Sequence, residues 1–251
     1  MNRQLDPEAF EKHAIDSVHF FSLRVPKRLL SGLATLPERS KIVDVGCGDG
    51  QLIWSLVQAG VLPKDSSVIG VDLSPVRVRR FSELTGFAAV QADGGNLLLP
   101  GGETADLCIS TMVMEHVPDD VAYARALARA IRPGGTLYLT TVLRKRGAWY
   151  FRKSPDGRRV LDPTHVREYA SVKSVVEILE SAGFDVMEQG VEPLWFPIAH
   201  PFVRLVNSRW PIADVQKLFV RRPWSVLERL AVPIPRYFSI DLLMRRRSAA
   251  A

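Results

Sequence analysis

The chain has 251 residues, of which 47% are hydrophobic and 24% are charged, and its formal net charge is +6. This composition suits a single α/β domain that buries a sizeable core. No uncharged apolar run approaches the ~18 residues of a membrane span, so the sequence excludes a membrane-spanning helix and predicts a soluble, unprocessed protein.

Two amphipathic helical patterns precede the predicted core, and they make up most of residues 1–40. They run from about Pro7 to Phe21 and from about Pro26 to Leu36. Apolar residues recur there at spacings of three and four, which is typical of helices with one buried face.

Between residues 41 and 142, apolar runs rich in β-branched residues alternate with amphipathic segments. The predicted strands are Lys41–Gly46, Ser67–Asp72, Ala88–Ala92, Ala105–Ser110 and Thr136–Val142. The predicted helices are Gln51–Ala59, Pro75–Thr85 and Asp119–Ile131. Alternation of this kind predicts a parallel sheet with helices on both faces.

The rhythm changes after the fifth predicted strand. Two irregular segments, 143–170 and 194–235, are rich in basic, aromatic and proline residues, and they read as insertions. The remaining predicted elements are a helix at Ser171–Ala182, strands at Phe184–Gly190 and Tyr237–Met244, and short helical pieces near Phe202–Asn207 and Trp224–Leu230. We interpret residues 1–251 as one domain, with a core at 41–142 and two insertions.

A glycine-rich turn, Asp44-Val-Gly46-Cys-Gly48-Asp-Gly50, follows the first predicted strand and opens the first core helix. Glycine permits a tight turn and a close approach of backbone to ligand. The spacing differs from the Gly-x-Gly-x-x-Gly of dinucleotide enzymes, and an acidic residue precedes it. The turn therefore favours a ligand that presents an amino acid and a nucleoside rather than a pyrophosphate.

Aspartates end the next two predicted strands. Asp72 follows the last glycine of the turn at the sequence separation typical of a carboxylate that accepts both hydroxyls of a ribose. Asp93 is placed to accept from an adenine amino group. A helix-capping or turn role explains either acid equally well when it is taken alone. Together with the turn, the two acids converge on the crevice where open α/β sheets bind ligands.

At these motifs the chain resembles the class I S-adenosylmethionine-dependent methyltransferases, particularly their small-molecule branch. The matching stretches are Val43–Gly50, Val71–Pro75, Ala92–Asp93, Ala105–Val117 and Ile131–Leu139. The resemblance covers residues 41–142 and continues more weakly beyond them. It implies a doubly wound, seven-stranded sheet, mostly parallel, with one antiparallel strand inserted beside the fifth strand near the C-terminus.

The same resemblance implies a cofactor site for S-adenosylmethionine. Asp44 would help hold its amino group, the backbone around Gly46 and Gly48 would face its methionine portion, and Asp72 would bind the ribose. The residues expected at the adenine and the sulfonium are Leu73, Asp93, Gly94, Thr111 and Met112.

Two histidines are candidates for a general base, which methyl transfer to a hydroxyl would use. His116 lies in Met114-Glu-His-Val-Pro118, where a structural role at the cofactor pocket is favoured. His165 lies in a Thr-His-x-Arg-x-Tyr pattern, where Asp162 could orient the imidazole and Arg167 and Tyr169 add a cation and a phenol. A catalytic role for His165 and a local structural lock are equally supported by the pattern.

Most of the tryptophans, at positions 149, 195, 210 and 224, fall in the two insertions. Aromatic side chains there are typical either of an apolar acceptor pocket or of the insertions' own core. A third interpretation joins Trp210, Phe219 and Trp224 with neighbouring arginines as a patch that contacts a membrane surface.

Other partner classes receive less support. The arginine and lysine clusters are typical of solvated faces, and the chain lacks a recognisable nucleic-acid-binding signature, so no nucleic acid is expected. No cluster of acidic residues marks a metal site, so no metal is expected. Cys47 and Cys108 lie in apolar stretches, which is typical of buried thiols and fits a cytoplasmic location.

The predicted function is S-adenosylmethionine-dependent methylation of a small or lipid-linked metabolite, at a hydroxyl oxygen. A non-catalytic cofactor-binding protein of the same fold would keep the same glycines and acids. A nucleic-acid or protein methyltransferase is the other alternative, although Ser110-Thr-Met-Val stands where an Asn-Pro-Pro-Tyr-type motif would serve nitrogen transfer.

Overall fold

The computed structural model describes residues 25–96, 104–150, 159–198 and 230–248, together with residues 11, 14, 15, 152, 153 and 157. Its strands are β1 (Lys41–Val45), β2 (Ser67–Asp72), β3 (Ala88–Gln91), β4 (Ala105–Thr111), β5 (Ile131–Arg144), β6 (Phe184–Pro197) and β7 (Ala231–Arg246). Its helices are α1 (Lys27–Ala34), α2 (Gln51–Ala59), α3 (Pro75–Thr85), α4 (Asp120–Ala130) and α5 (Val172–Ser181), with a 3₁₀ turn at Gly94–Asn96.

The strands form one sheet in the order β3-β2-β1-β4-β5-β7-β6. Strands β1 to β5 pair in parallel, and β7 lies antiparallel to both β5 and β6. The predicted fold class is therefore confirmed, including the antiparallel strand beside β5.

Successive residues of the central strands supply two separate cores, because strand side chains alternate between the faces of a sheet. Ile42 packs with the apolar residues of α1, α2 and α3. Val43 packs on the opposite face with those of α4 and α5. The sheet is thus covered on both sides, which explains the near-continuous apolar character of its parallel strands.

The C-terminal hairpin is longer than the sequence pattern predicted. The expected strands at 184–190 and 237–244 extend to Phe184–Pro197 and Ala231–Arg246. The two arms continue to pair with each other after β5 ends opposite Tyr237, with Trp195 opposite Pro233 and Phe196 opposite Val232. Part of the predicted insertion at 194–235 is therefore strand, a correction that follows from pairing between residues far apart in sequence.

Several predicted elements lie wholly or mainly outside the described residues, namely the helix at 7–21 and the helical pieces at 202–207 and 224–230. Both cysteines are buried and free of disulfides. In the part of the chain that the structure describes, no helix combines the length and apolar character needed to cross a membrane.

Candidate active site

The glycine-rich turn connects β1 to α2 at the carboxyl edge of the sheet. Gly46, Gly48 and Gly50 have φ angles of +72°, +55° and +88°, which L side chains rarely adopt. A Cβ atom on Gly46 would also lie 2.2 Å from Cγ2 of Val113. Glycine is therefore required at the turn by its backbone conformation, and at Gly46 by the close approach of the segment after β4 as well.

The turn is held in place by β2. The amides of Gly46 and Cys47 donate to the Val71 carbonyl at 2.7 and 3.0 Å, and the Gly48 amide donates to Asp72 Oδ2 at 3.0 Å. The other carboxylate oxygen of Asp72 accepts from the Ser74 amide at 2.9 Å. Because these donors are satisfied within the chain, the turn is preformed.

Asp72 does not cap α3, as one alternative proposed. The N-cap is Ser74, whose side chain accepts from the Arg77 amide. Asp72 instead links β2 to the glycine turn and is almost completely buried. Since each carboxylate oxygen can accept more than one hydrogen bond, Asp72 keeps capacity for a ligand hydroxyl.

Asp44 is a buried carboxyl group at the end of β1. Its side chain is 1% exposed, and Oδ1 has no hydrogen-bond partner among the described residues. Burial, followed by the charge of Asp72, raises the pKa of Asp44 to about 7. A donor with a positive charge would satisfy this oxygen, and the amino group of S-adenosylmethionine has that chemistry, so the residues present fit the cofactor.

The expected adenine end lies beyond β3. Asp93 accepts from the Gly95 amide at 2.8 Å in a tight turn that leads into the 3₁₀ turn, and the Leu73 carbonyl accepts from Gln91 Nε2 at 3.1 Å. A Cβ atom on Gly94 would lie 3.0 Å from the Tyr123 ring. The structure thus places Asp72, Leu73, Asp93 and Gly94 at the ends of neighbouring strands.

The expected sulfonium end lies at the end of β4. Thr111 is the last residue of that strand, and Met112 follows with φ +56° while its amide donates to the Thr140 carbonyl. A positive φ at a non-glycine residue is a strained conformation that often marks a functional site. Met112 also packs against the apolar cluster of Val142, Ile234 and Tyr237.

The two candidate histidines are distant in sequence but neighbours in space. His116 contacts Thr164, which is 48 residues further along the chain and directly precedes His165. The rings of His116 and His165 meet edge to face with centroids 4.7 Å apart. The Thr164 hydroxyl donates to Asp162 at 2.7 Å and therefore accepts from His116 Nδ1 at 3.0 Å. The segment after β4 and the segment after β5 are joined at this pair.

Glu168 is the partner that orients His165. Nδ1 of His165 lies 3.2 Å from Glu168 Oε1. An ionised carboxylate only accepts, so Nδ1 is the donor in this hydrogen bond. The sequence had offered Asp162 as the orienting partner, but Asp162 accepts from Thr164 and Arg152 instead.

Glu168 is held ionised by its surroundings. Burial alone would raise its pKa, but hydrogen bonds from His165, the Leu161 amide and Tyr237 outweigh burial and lower the pKa below its usual value. The Leu161 amide donates at 2.9 Å and the Tyr237 hydroxyl at 3.1 Å, and Arg144 lies 3.5 Å away. The carboxylate is thus a fixed negative charge behind His165.

His116 is a neutral imidazole at physiological pH. Burial and then the neighbouring His165 lower its pKa to about 4. Glu115 beside it is fully buried, and burial raises its pKa. Its Oε2 accepts from the Thr141 hydroxyl at 2.8 Å, while Oε1 has no partner among the described residues.

Arg167 and Tyr169, rather than His165, hold the segment around the histidines in place. Arg167 donates to the carbonyls of Val117 and Pro118, each at 2.6 Å, and the Tyr169 hydroxyl donates to Asp120 at 2.9 Å. The Thr-His-x-Arg-x-Tyr pattern therefore divides its roles: Arg167 and Tyr169 fix the loop before α4, and His165 is left to face Glu115 and His116.

The cluster also contains potential metal ligands. One ligand atom from each of Glu115, His116 and His165 lies within 4.8 Å of the others. Two imidazoles and a carboxylate are donors that divalent transition metals accept. The sequence pattern did not reveal this metal-ligand cluster, because His116 and His165 come together only in the fold.

Comparisons with known proteins relate this chain to methyltransferases. A family model described as a methyltransferase domain matches residues 12–189. The chain is 32% identical over 163 residues to the 2-methyl-6-phytyl-1,4-hydroquinone methyltransferase of Synechocystis sp., a match covering 61% of this chain and 48% of that protein. It is 33% identical over 118 residues to the ubiquinone biosynthesis O-methyltransferase of Pseudomonas aeruginosa, covering 44% and 48%. The chain spans about half the length of the curated relatives it matches.

Solved structures share the fold at low sequence identity. The [4+2]-cyclase SpnF superposes with a TM-score of 0.58 at 20% identity, covering 88% of this chain and 80% of that one. A phosphoethanolamine N-methyltransferase of Haemonchus contortus, in complex with S-adenosylhomocysteine, superposes with a TM-score of 0.56 at 15% identity, covering 89% and 52%. At these identities the likeness establishes the fold alone.

Proposed function

The chain belongs to the class I S-adenosylmethionine-dependent methyltransferases, and we propose that it methylates a hydroxyl oxygen of a small or lipid-linked metabolite. The observation that carries the proposal is the pairing of His165 with Glu168 beside the segment that follows β4. The cofactor supplies a methyl group already activated on a sulfonium, so the protein's task is to bind, align and deprotonate.

The cofactor-binding residues we propose are those at the carboxyl ends of β1 to β4. Asp44 offers an unpartnered buried oxygen to the amino group, and Asp72 offers its remaining acceptor capacity to the ribose. Asp93 and Gly94 would contact the adenine. Thr111 and Met112 would flank the sulfonium, where the strained backbone of Met112 aims its side chain towards the apolar cluster.

His165 is the general base in this proposal. With its Nδ1 proton donated to Glu168, its Nε2 lone pair can remove the proton of an acceptor hydroxyl as the oxygen attacks the methyl group. Glu168 then balances the positive charge that develops on the imidazole. His116, held by Thr164 and neutral, lies against His165 and supports its position.

The acceptor class is inferred from the surroundings and the relatives. Partly buried apolar side chains, among them Tyr150, Leu161, Leu194 and Phe196, pack around the cluster that contacts Met112. Such a surface suits an acceptor with an apolar ring or tail. One named relative methylates a hydroquinone that carries a phytyl chain, and the other acts in ubiquinone biosynthesis. Both names indicate the same kind of acceptor.

The competing proposals lack this support. A protein that only binds the cofactor does not need an imidazole oriented by a carboxylate, although the cyclase among the solved structures shows that the fold serves other named activities. Methylation of the amino nitrogen of bases or glutamine would use an Asn-Pro-Pro-Tyr-type motif after β4, and Ser110-Thr-Met-Val stands there instead. A cytoplasmic location is part of the same proposal, which cell fractionation would test.

The experiment compares two acceptors with methyl-labelled S-adenosylmethionine: a short-tailed prenyl hydroquinone and its dimethyl ether. We expect label on oxygen from the first and none from the second. The His165→Ala variant should lower turnover about 10²- to 10⁴-fold while the dissociation constant of S-adenosylhomocysteine stays within about twofold.

The matched control is Tyr169→Phe, which removes the hydrogen bond to Asp120 in the same segment and leaves the imidazole in place. It should keep most of the turnover. Label on a ring carbon would refute the oxygen assignment, and unchanged turnover in His165→Ala would remove His165 from the reaction.

A further inference from the structure

Exposed apolar side chains gather where the β6–β7 hairpin extends beyond β5. Five of the large exposed hydrophobic residues among those described belong to this place, with exposures of 48 to 56%: Trp149, Trp195, Ile198, Leu230 and Val232. Scattered exposed residues need no explanation, but a group of this size at one end of a sheet does. We name these five residues the hairpin-end surface.

Backbone contacts join the segments that carry them. The Ile198 amide donates to the Leu230 carbonyl at 2.9 Å, and Trp195 lies opposite Pro233 in the ladder. On the other side of β7, the Trp149 amide donates to the Pro235 carbonyl at 3.4 Å. The segments that carry the five residues are therefore neighbours at this end of the sheet, with Val232 on the same face of the hairpin as Phe196 and Trp195 on the opposite face.

Basic side chains border this surface. Lys145 and Arg236 are joined by a backbone hydrogen bond, and the Arg236 side chain donates to the Arg146 carbonyl. Within the described part of the chain, Lys145, Arg146, Arg159 and Arg236 form no salt bridge. Arg159 lies over the Trp149 ring with 5.1 Å to the centroid. Cations that form no salt bridge with the described acidic residues, beside exposed tryptophans, complement an anionic, partly apolar surface.

We propose that the hairpin-end surface and its four bordering cations dock the protein on an anionic lipid membrane. Tryptophan is favoured at the boundary between lipid headgroups and chains, and lysine and arginine are attracted to anionic headgroups. The patch expected from the sequence, around Trp210, Phe219 and Trp224, lies outside the described residues, and the proposed surface is a different one.

The docking surface connects inward to the candidate active site. Trp149 is adjacent to Tyr150, and Trp195 is adjacent to Phe196, and the rings of Tyr150 and Phe196 meet edge to face with centroids 6.3 Å apart. Both inner residues pack on the cluster that also contacts Met112. An acceptor could keep its apolar tail in the membrane while its hydroxyl reaches His165. This role of the surface alone rests on the proposed function.

The experiment is co-sedimentation of the full chain with vesicles, without cofactor or acceptor, so that its outcome is independent of methyl transfer. The vesicles contain phosphatidylcholine alone or with about a third of phosphatidylglycerol. We expect binding to the anionic vesicles that weakens as salt is raised from about 0.05 to 0.5 M.

Two double variants separate the contributions. Trp149→Ala/Trp195→Ala should lower vesicle affinity about tenfold or more, whereas Val57→Ala, which trims an exposed apolar residue of α2, should not. Lys145→Gln/Arg146→Gln should lower it similarly. Its control, Lys64→Gln/Arg79→Gln, removes the same charge elsewhere and should not.

Equal binding by both surface variants and their controls would overturn the proposal, and so would the absence of binding to anionic vesicles. Analytical ultracentrifugation of the same proteins provides the remaining outcome. If the unaltered chain is a dimer that binds no vesicles and the tryptophan variant is a monomer, the surface joins two copies of the chain and the membrane proposal is wrong.

Discussion

Replacement of Asp44 by asparagine should stabilise the protein without cofactor and weaken its cofactor binding. The pKa of Asp44 is raised from 3.8 to about 7, so the folded state holds its proton more tightly than the unfolded chain between those values. Stability is therefore lost as pH rises through this window. The difference of about 3 pH units corresponds to a cost of ~4 kcal/mol once the carboxylate is ionised.

Asparagine removes the charge but leaves a buried polar group, which itself costs ~1 to 3 kcal/mol. We therefore expect a net stabilisation of about 1 to 3 kcal/mol at pH 8, or roughly 2 to 12 °C in Tm for a chain of this size. At pH 5, where Asp44 is protonated in the folded state, the difference should largely disappear. Thermal unfolding of both proteins without ligand, at pH 5 and pH 8, measures this.

Calorimetric titration supplies the second half of the test. A bound ammonium group favours the ionised form of Asp44, so S-adenosylhomocysteine should bind more tightly as pH rises towards 8 and should release about half a proton per site at pH 7. Asp44→Asn should lose that release together with roughly 10- to 100-fold in affinity.

Asp185→Asn, at an exposed partner of Arg247, is the control and should change neither property. A lower Tm than the unaltered protein at pH 8, or proton release that persists in Asp44→Asn, would refute the reasoning.

Three further outcomes are expected. Glu168→Gln should reduce turnover by roughly 10- to 10³-fold with little change in cofactor affinity, because the carboxylate that fixes and balances His165 is lost; a loss confined to cofactor binding in a titration would contradict this. Dialysis against EDTA should leave turnover unchanged, since a base needs no ion; loss of activity that Zn²⁺ or Mg²⁺ restores would show that the buried histidines and carboxylate hold a metal. Gly46→Ala should unfold at a Tm lower by several degrees and lose cofactor affinity, because its Cβ would overlap Val113. Gly60 also has a positive φ but open space around it, so Gly60→Ala should cost about 1 kcal/mol, and equal losses in the two variants would show that crowding at Gly46 is unimportant.

The parts of the fold that the sequence predicted are those fixed by local patterns. Strands β1 to β4 and helices α2 to α4 agree with the predicted ranges to within one or two residues, because buried parallel strands and capped amphipathic helices carry their signals in adjacent residues. Strand β5 begins five residues earlier than predicted, at Ile131, through a stretch that contains Pro133 and two glycines. Local propensity disfavours such a strand, and pairing with Ala105 overrides it.

The parts that the sequence could not predict depend on contacts between distant segments. Glu168 is only three residues from His165, but nothing in the local pattern separates it from Asp162, which bonds to Thr164 instead. The meeting of His116 with His165 depends on how the loops after β4 and β5 pack. The partners of individual residues could therefore be assigned only from the structure, whereas the motifs were enough to identify the family.

The position of β7 has a consequence for synthesis. This strand follows β6 in the chain but lies between β5 and β6 in the sheet. During translation, therefore, the first five strands can assemble, but the edge of β5 stays unpaired until residues 231–246 are synthesised. Until they arrive, β6 has no neighbour either, because all of its sheet pairing is with β7. An interrupted nascent chain would present two unpaired strand edges, which are templates for aggregation. A ribosome stalled late in this message should consequently leave a product that recruits chaperones more strongly than one stalled before β6.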